Sequence, residues 1–288
     1  MRRLLPLLTT AAAIATATVA TVALTGSANA APAFGKYVAL GDSYAAVGTL
    51  DNIHGDPIGC ARATDNYPSD VASRLGVGSF VDVTCGGAET VHMTQPQSVT
   101  GGDNAPQFDA LTPDTSLVTL TISGNDIGFT DIAKTCAEKS FSNPFGSPCK
   151  DHFTEGGTDQ LADRVNAVAG PVSAALAGIH ERAPQATVVL VGYLRILPPE
   201  GGCWPVVPFA RGDVPYFDGV EHQLNAMLAA QAAANGAQFV NPGDVLGHDV
   251  CSGDKYVEGL IPETLSVPVH PNAKGQAYVA DQIAAALG

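Results

Sequence analysis

Basic side chains are scarce in this 288-residue chain: 14 Lys and Arg stand against 28 Asp and Glu, a formal charge of −14. A protein that grips phosphates needs clustered cations, so the sequence offers no electrostatic basis for binding nucleic acid or adsorbing to an anionic membrane. Charged residues of both signs make up only 15% of the chain against 45% hydrophobic, which excludes a disordered, self-repelling polymer. The 31 glycines lack the one-in-three period of collagen. No internal repeat, charge run or low-complexity linker divides the chain, and no Cys-x-x-Cys pair occurs. Beyond residue 30, no uninterrupted apolar run reaches the roughly 18 residues that a membrane span needs.

What is present begins with an export signal. Arg2 and Arg3 precede an Ala- and Leu-rich stretch over about residues 4–24, and Ala28-Asn29-Ala30 supplies the small residues of a cleavage point. A charged start, an apolar middle and a small-residue exit are the order of a secretory signal peptide. The stretch is long enough to suggest a membrane anchor, but Pro6 and several threonines interrupt it and the exit favours cleavage after Ala30. The expected organisation is a signal peptide at 1–30, then one extracellular domain at 31–288 with no stable membrane anchor. A monomer is the default expectation for such an exported chain.

Export gives meaning to Cys60, Cys85, Cys136, Cys149, Cys203 and Cys251. An even number of cysteines in an oxidising compartment reads as disulfides, with fifteen pairings open to sequence alone. Pairing in chain order would close loops that each stabilise by roughly 3–4 kcal/mol in the chain-entropy model. Metal is the rival: Cys149 with His152 and His248 with Cys251 have zinc-like spacing. Taking both pairs for one site strands four cysteines, so disulfides are expected and no metal.

Short apolar runs over 37–40, 80–83, 117–122, 187–191 and 238–240 read as strands buried on both faces. Helical spacing covers 161–182, where Pro171 is expected to introduce a kink, and helices are also expected over 69–75, 220–234 and 273–286. Strand–helix alternation of this kind predicts an α/β fold, a three-layer α/β/α sandwich around a parallel sheet of about five strands. Residues 136–159, rich in Pro, Gly, Ser and Asn, read as an irregular excursion.

Chemistry in such sheets collects where strands run into loops. Gly41-Asp42-Ser43-Tyr44 follows the first strand, placing Ser43 either as an exposed hydroxyl among outward N–H groups or as a plain helix cap. The G-x-S-x-G elbow fails at Ala45, so the α/β-hydrolase pattern is not indicated. Cys85-Gly86-Gly87-Ala88 follows the second strand, and paired glycines free backbone N–H groups to face an oxyanion, although such pairs also make ordinary turns. Ser123-Gly124-Asn125-Asp126 follows the third. The Asn125 amide is a well-suited neutral donor, with Asp126 expected as the cap of the next helix. His270-Pro271-Asn272 precedes the last helix, where Pro271 at its first position would leave His270 projecting. The other six histidines read as surface or structural; His248 with Asp244 and Asp249 is the best remaining metal cluster, and a weak one.

These four blocks, in this order and over nearly the whole chain beyond Tyr37, resemble the SGNH (GDSL-type) hydrolases, above all their secreted three-disulfide actinobacterial lipases and esterases. The resemblance implies a flavodoxin-like α/β/α fold and no cofactor. Carried over by position, it implies Ser43 as nucleophile, His270 as general base, and Ser43, Gly87 and Asn125 as the oxyanion hole. It also implies the pairs Cys60–Cys85, Cys136–Cys149 and Cys203–Cys251. Many members place an aspartate three residues before the histidine, where this chain has Val267. Resemblance to some secreted members implies a backbone carbonyl near Ser266 in its place, and hence a dyad rather than a triad. Such a carbonyl can hold the tautomer without the charge that would stabilise an imidazolium.

The function implied is cleavage of small esters or lipids by a Ser-His acyl-enzyme route, as a lipase, esterase or phospholipase. Apolar segments over 196–198 and 204–209 could line an acyl groove or simply pack as loops. Two alternatives stay open: a carbohydrate acetylesterase of the same family, and a non-catalytic, disulfide-stapled secreted binding protein whose serine is only a cap.

Overall fold

Apolar runs with no polar face to offer water are found side by side in the interior. A computed structural model describes residues 33–288, so the export signal and its cleavage point at Ala30 lie outside the described residues. The strands are β1 (Lys36–Gly41), β2 (Ser79–Asp82), the short antiparallel pair β3 (Gln97–Val99) and β4 (Gly102–Asn104), β5 (Leu117–Thr121), β6 (Thr187–Val191) and β7 (Gln238–Val240). Five of them form one parallel sheet in the order β2-β1-β5-β6-β7. β5 is buried throughout and β1 and β6 nearly so, as expected of central strands covered on both faces. The edge strands β2 and β7 are partly exposed.

The helices are α1 (Ser43–Ala46), α2 (Tyr67–Leu75), α3 (Phe129–Ser140), α4 (Pro148–Thr154), α5 (Gln160–Ala167), α6 (Ala169–Arg182), α7 (Val214–Ala234) and α8 (Ala273–Leu287). They flank the sheet as a three-layer α/β/α sandwich, with α2 against α8 and α6 against α7. The winding reverses between β1 and β5, and in open α/β sheets ligands bind beyond the strand ends at that reversal.

Three elements depart from the sequence reading. The helix expected over 161–182 is two helices meeting at Val168. Pro171 has no N–H to return to the preceding turn, so the ladder breaks rather than kinks. The excursion at 136–159 contains the end of α3 and all of α4. Phe129, Ile132, Ala133 and Cys136 carry the helical spacing that could have revealed α3, whereas α4 is capped from afar: Asp213 accepts the N–H groups of Cys149 and Lys150, both at 2.9 Å. Finally, α7 starts six residues before the expected position, with Pro215 in its first turn, where a missing N–H costs nothing.

Disulfides join Cys60 to Cys85, Cys136 to Cys149 and Cys203 to Cys251, with separations of 25, 13 and 48 residues. The first anchors the Gly86-Gly87 turn, since Gly86 N donates to the Cys60 carbonyl at 2.9 Å. The second ties α3 to α4. Among the described residues, no helix is long and apolar enough to cross a membrane, and no cluster of three or more His, Cys, Asp or Glu could hold a metal ion. His248 stacks on Tyr256 with ring centroids 3.8 Å apart, and its Nδ1 meets the Asp254 carbonyl at 2.7 Å.

Candidate active site

Ser43 owes its place to the end of β1. Gly41 pairs with Thr121 of β5, and its φ of +145° is one that residues with a Cβ rarely adopt; a Cβ there would lie 2.6 Å from the Thr121 carbonyl oxygen. Gln107 clamps the same residue, accepting its N–H at 2.7 Å and donating to its carbonyl at 2.9 Å. The chain then turns into α1, and the cap is Asp42, whose Oδ1 accepts the Tyr44 N–H at 2.9 Å. Ser43 is therefore not the cap, and its hydroxyl is available for other bonds.

The other two strand-end loops converge on this turn. Cys85 N donates to the Gly41 carbonyl at 3.0 Å, which sets the exposed Gly87 turn beside β1. Asn125 Nδ2 donates to the Ala88 carbonyl at 2.9 Å, joining the third loop to the second. An amide nitrogen carries two protons, so one remains for a ligand. Asp126 does not cap a helix as expected. It accepts the Thr90 N–H at 3.0 Å and the Thr90 hydroxyl, while Gly128 in the left-handed region leads into α3.

His270 closes the site from the far end of the chain, its Nε2 at 2.7 Å from Ser43 Oγ. Nδ1 lies 2.8 Å from the Pro268 carbonyl, which corrects the expectation of Ser266. A tight turn returns His270 N to the Val267 carbonyl at 3.3 Å and carries the Pro268 oxygen to the ring. Ser266 is buried instead, its hydroxyl within reach of the Gly48 carbonyl at 3.2 Å. Pro271 is not the first helical residue either; Asn272 caps α8 by accepting the Gly275 N–H at 3.1 Å.

Two non-glycine residues with positive φ adjoin the site, Ser123 at 103° two residues before Asn125 and Val269 at 60° directly before His270. A β-branched residue in that region is strained by an amount on the order of 1–3 kcal/mol, held by its surroundings. For Val269, those surroundings include the Tyr44 hydroxyl donating to its carbonyl at 2.8 Å and its own N–H donating to the Glu258 carbonyl at 3.1 Å.

Buried polar groups that the motifs did not announce complete the setting. Tyr193, just beyond β6, accepts the Gly124 N–H at 2.7 Å and donates to Asp42 Oδ2 at 2.6 Å, bolting the ends of β1, β5 and β6 together. Both Asp42 oxygens are thus engaged away from His270. Burial pushes the Asp42 carboxyl up to about 7, against the opposing hydrogen bonds from Tyr193 and Tyr44. Burial also drives Glu221 of α7 well above the ordinary carboxyl range. His270 moves the other way: burial lowers its pKa, and the bond to Pro268 opposes this only in part.

Ser43, Asn125 and His270 line a narrow cavity of about 60 Å³, walled by Tyr44, Tyr193, Phe217 and Leu224. A wider apolar groove of about 590 Å³ also reaches His270. A hydroxyl bonded to an oriented imidazole, with amide donors close by, is an arrangement suited to acyl transfer.

The model of the GDSL-like lipase/acylhydrolase family matches residues 39–278. Lipase 2 of Streptomyces coelicolor is 38% identical over 291 residues, covering 97% of this chain and 96% of its own. The extracellular lipase of Streptomyces rimosus superposes with a TM-score of 0.70 at 26% identity, over 88% of this chain and 99% of that one. Phospholipase A1 of Streptomyces albidoflavus gives 0.68 at 28%, with the same coverages. With its parallel sheet, three disulfides and convergent strand-end loops, the chain belongs to the GDSL-like lipase/acylhydrolase family and is a carboxylic ester hydrolase.

Proposed function

We propose that the protein is an exported serine hydrolase of lipid-like esters working through a Ser43–His270 dyad. The 2.7 Å contact between Ser43 Oγ and His270 Nε2, with Nδ1 held by Pro268, carries the reading. His270 takes the Ser43 proton as Oγ attacks the ester carbonyl, and the developing oxyanion accepts from the Ser43 and Gly87 N–H groups and the Asn125 amide. The carbon–oxygen bond to the alcohol breaks as His270 returns the proton to it. Water, deprotonated by the same imidazole, then releases the acid and restores Ser43. Burial disfavours the imidazolium and the Pro268 carbonyl offsets this only in part, so His270 stays neutral further into acid than an ordinary histidine.

Export through the signal at 1–30 accords with the three disulfides, which persist in oxidising compartments. The lipase and phospholipase names of the relatives favour acyl esters of glycerol or phosphoglyceride type over acetylated polysaccharide. A fluorophosphonate probe tests the core of the reading: Ser43 should carry the label in the folded protein. Folded protein that hydrolyses no ester and takes no label would return the chain to the class of binding modules.

A further inference from the structure

The two cavities that meet at His270 are very unequal, about 60 Å³ against about 590 Å³. The narrow one is bounded by Ser43, Gly124 and Asn125 and runs inward between buried residues, among them Ile132, Phe217 and Leu224. At α7 it meets Glu221, whose Oε2 accepts the Ile196 N–H at 2.9 Å while its buried Oε1 has no partner. The wide one is bounded by His270 and the 267–269 turn but touches neither Ser43 nor Asn125. It is open to solvent, with Phe141 66% and Leu260 42% exposed on its walls.

Acyl transfer assigns these spaces. In the tetrahedral intermediate the acyl carbon is bonded to Ser43 Oγ and its oxygen points at the amide donors, whereas the departing oxygen must reach His270 to be protonated. We infer that the acyl chain being cleaved enters the narrow cavity and the alcohol portion lies in the wide groove, so that the enzyme prefers short acyl groups on large apolar alcohol portions, such as a glyceride whose remaining chains lie in the groove. This rests on the Ser43–His270 reading above. With about a tenth of the groove's volume, the narrow cavity admits a short chain only. Glu221 lines it with a buried carboxyl whose Oε1 has no partner, a polar group that a longer chain would have to desolvate. The groove has no such limit and rewards each added methylene with apolar contact.

Two ester series, run on the full mature chain in detergent-free dilute solution, test the assignment. Across 4-nitrophenyl esters from acetate to dodecanoate, kcat/KM should peak at about four to six acyl carbons and then fall by about tenfold per excess methylene pair. Across butyrates of ethanol through octanol it should rise by about twofold or more per methylene. Leu224→Ala should move the acyl optimum about two carbons longer. Leu260→Asp, on the exposed groove wall and checked for folding by its denaturation midpoint, should lower the octyl-to-ethyl ratio at least fivefold. An acyl optimum at ten carbons or more, a flat alcohol series, or an unmoved ratio in Leu260→Asp overturns the partition. Those results would leave the dyad standing as long as Ser43 is labelled and esters are turned over; loss of both labelling and turnover would instead sink the dyad.

Discussion

Ser43 and His270 face each other across 2.7 Å, yet their segments are held by different means. Ser43 leaves a central strand, and its turn inherits the geometry of the sheet through Gly41, Gln107 and the Tyr193 bridge. His270 belongs to an irregular stretch outside the sheet, tied to α1 where the Tyr44 hydroxyl donates to the Val269 carbonyl. Its anchor is Glu258, whose backbone N–H donates to the His270 carbonyl at 2.9 Å and whose carboxylate accepts from Glu263 N, Thr264 Oγ1 and Asn272 Nδ2. A nucleophile set by backbone pairing tolerates local change better than a base set by one polar cluster and a strained Val269.

The largest effects should show the two sides failing alike when the reacting groups go. Ser43→Ala and His270→Ala should each lower kcat by on the order of 10⁴ or more, and the double variant by little beyond either one. Steady-state rates on a soluble ester measure this; additive losses would mean the two do not act as a unit. Asn125→Ala should cost roughly 10²–10³ in kcat with probe labelling of Ser43 slowed but retained, the usual effect of one oxyanion donor. An unchanged kcat would remove that amide from the site.

Changes to the supports should separate the sides. Glu258→Gln presents one acceptor where three donors converge, and an unpaired buried donor costs about 1–3 kcal/mol, readable by chemical denaturation. The wild-type pH dependence has the same origin. Burial alone would raise the Glu258 carboxyl, but the hydrogen bonds from Glu263, Thr264 and Asn272 outweigh it and leave the pKa below the ordinary range. A carboxyl lowered in the folded state lends stability above its unfolded pKa and loses it as pH falls through the folded one. His270, also lowered, should place the acid limb of kcat/KM below the ordinary imidazole value near 6.5. An acid limb above 7 would contradict the burial of that ring. The smallest effect is expected from Val269→Gly, which relieves the positive φ; stability should rise by up to about 1 kcal/mol while kcat falls slightly, the usual exchange at a strained site.

Much of this was legible beforehand for reasons visible in particular residues. The strands at Leu117–Thr121 and Thr187–Val191 announce themselves because a strand buried on both faces must be apolar throughout. GDS, GND and HPN blocks point to a site because each sits where a strand or loop meets a helix. Less legible were α4, held by Asp213 some sixty residues away, and the Nδ1 partner of His270, decided by the left-handed turn at Val269 and not by any side chain. Tyr193 and Glu221 carry no motif at all; their importance comes from burial beside Asp42 and Leu224.

Composition and local pattern were enough to settle the layers of the sandwich, the positions of its buried strands along the chain and the residue types gathered at their ends, because these depend on hydrophobic period and short-range geometry. Folding alone decided that residues 227 positions apart come within hydrogen-bonding distance, that a carbonyl stands in for a carboxylate, and that the two spaces beside them differ tenfold in volume. Distances and cavities arise from long-range packing, which no local stretch of chain encodes.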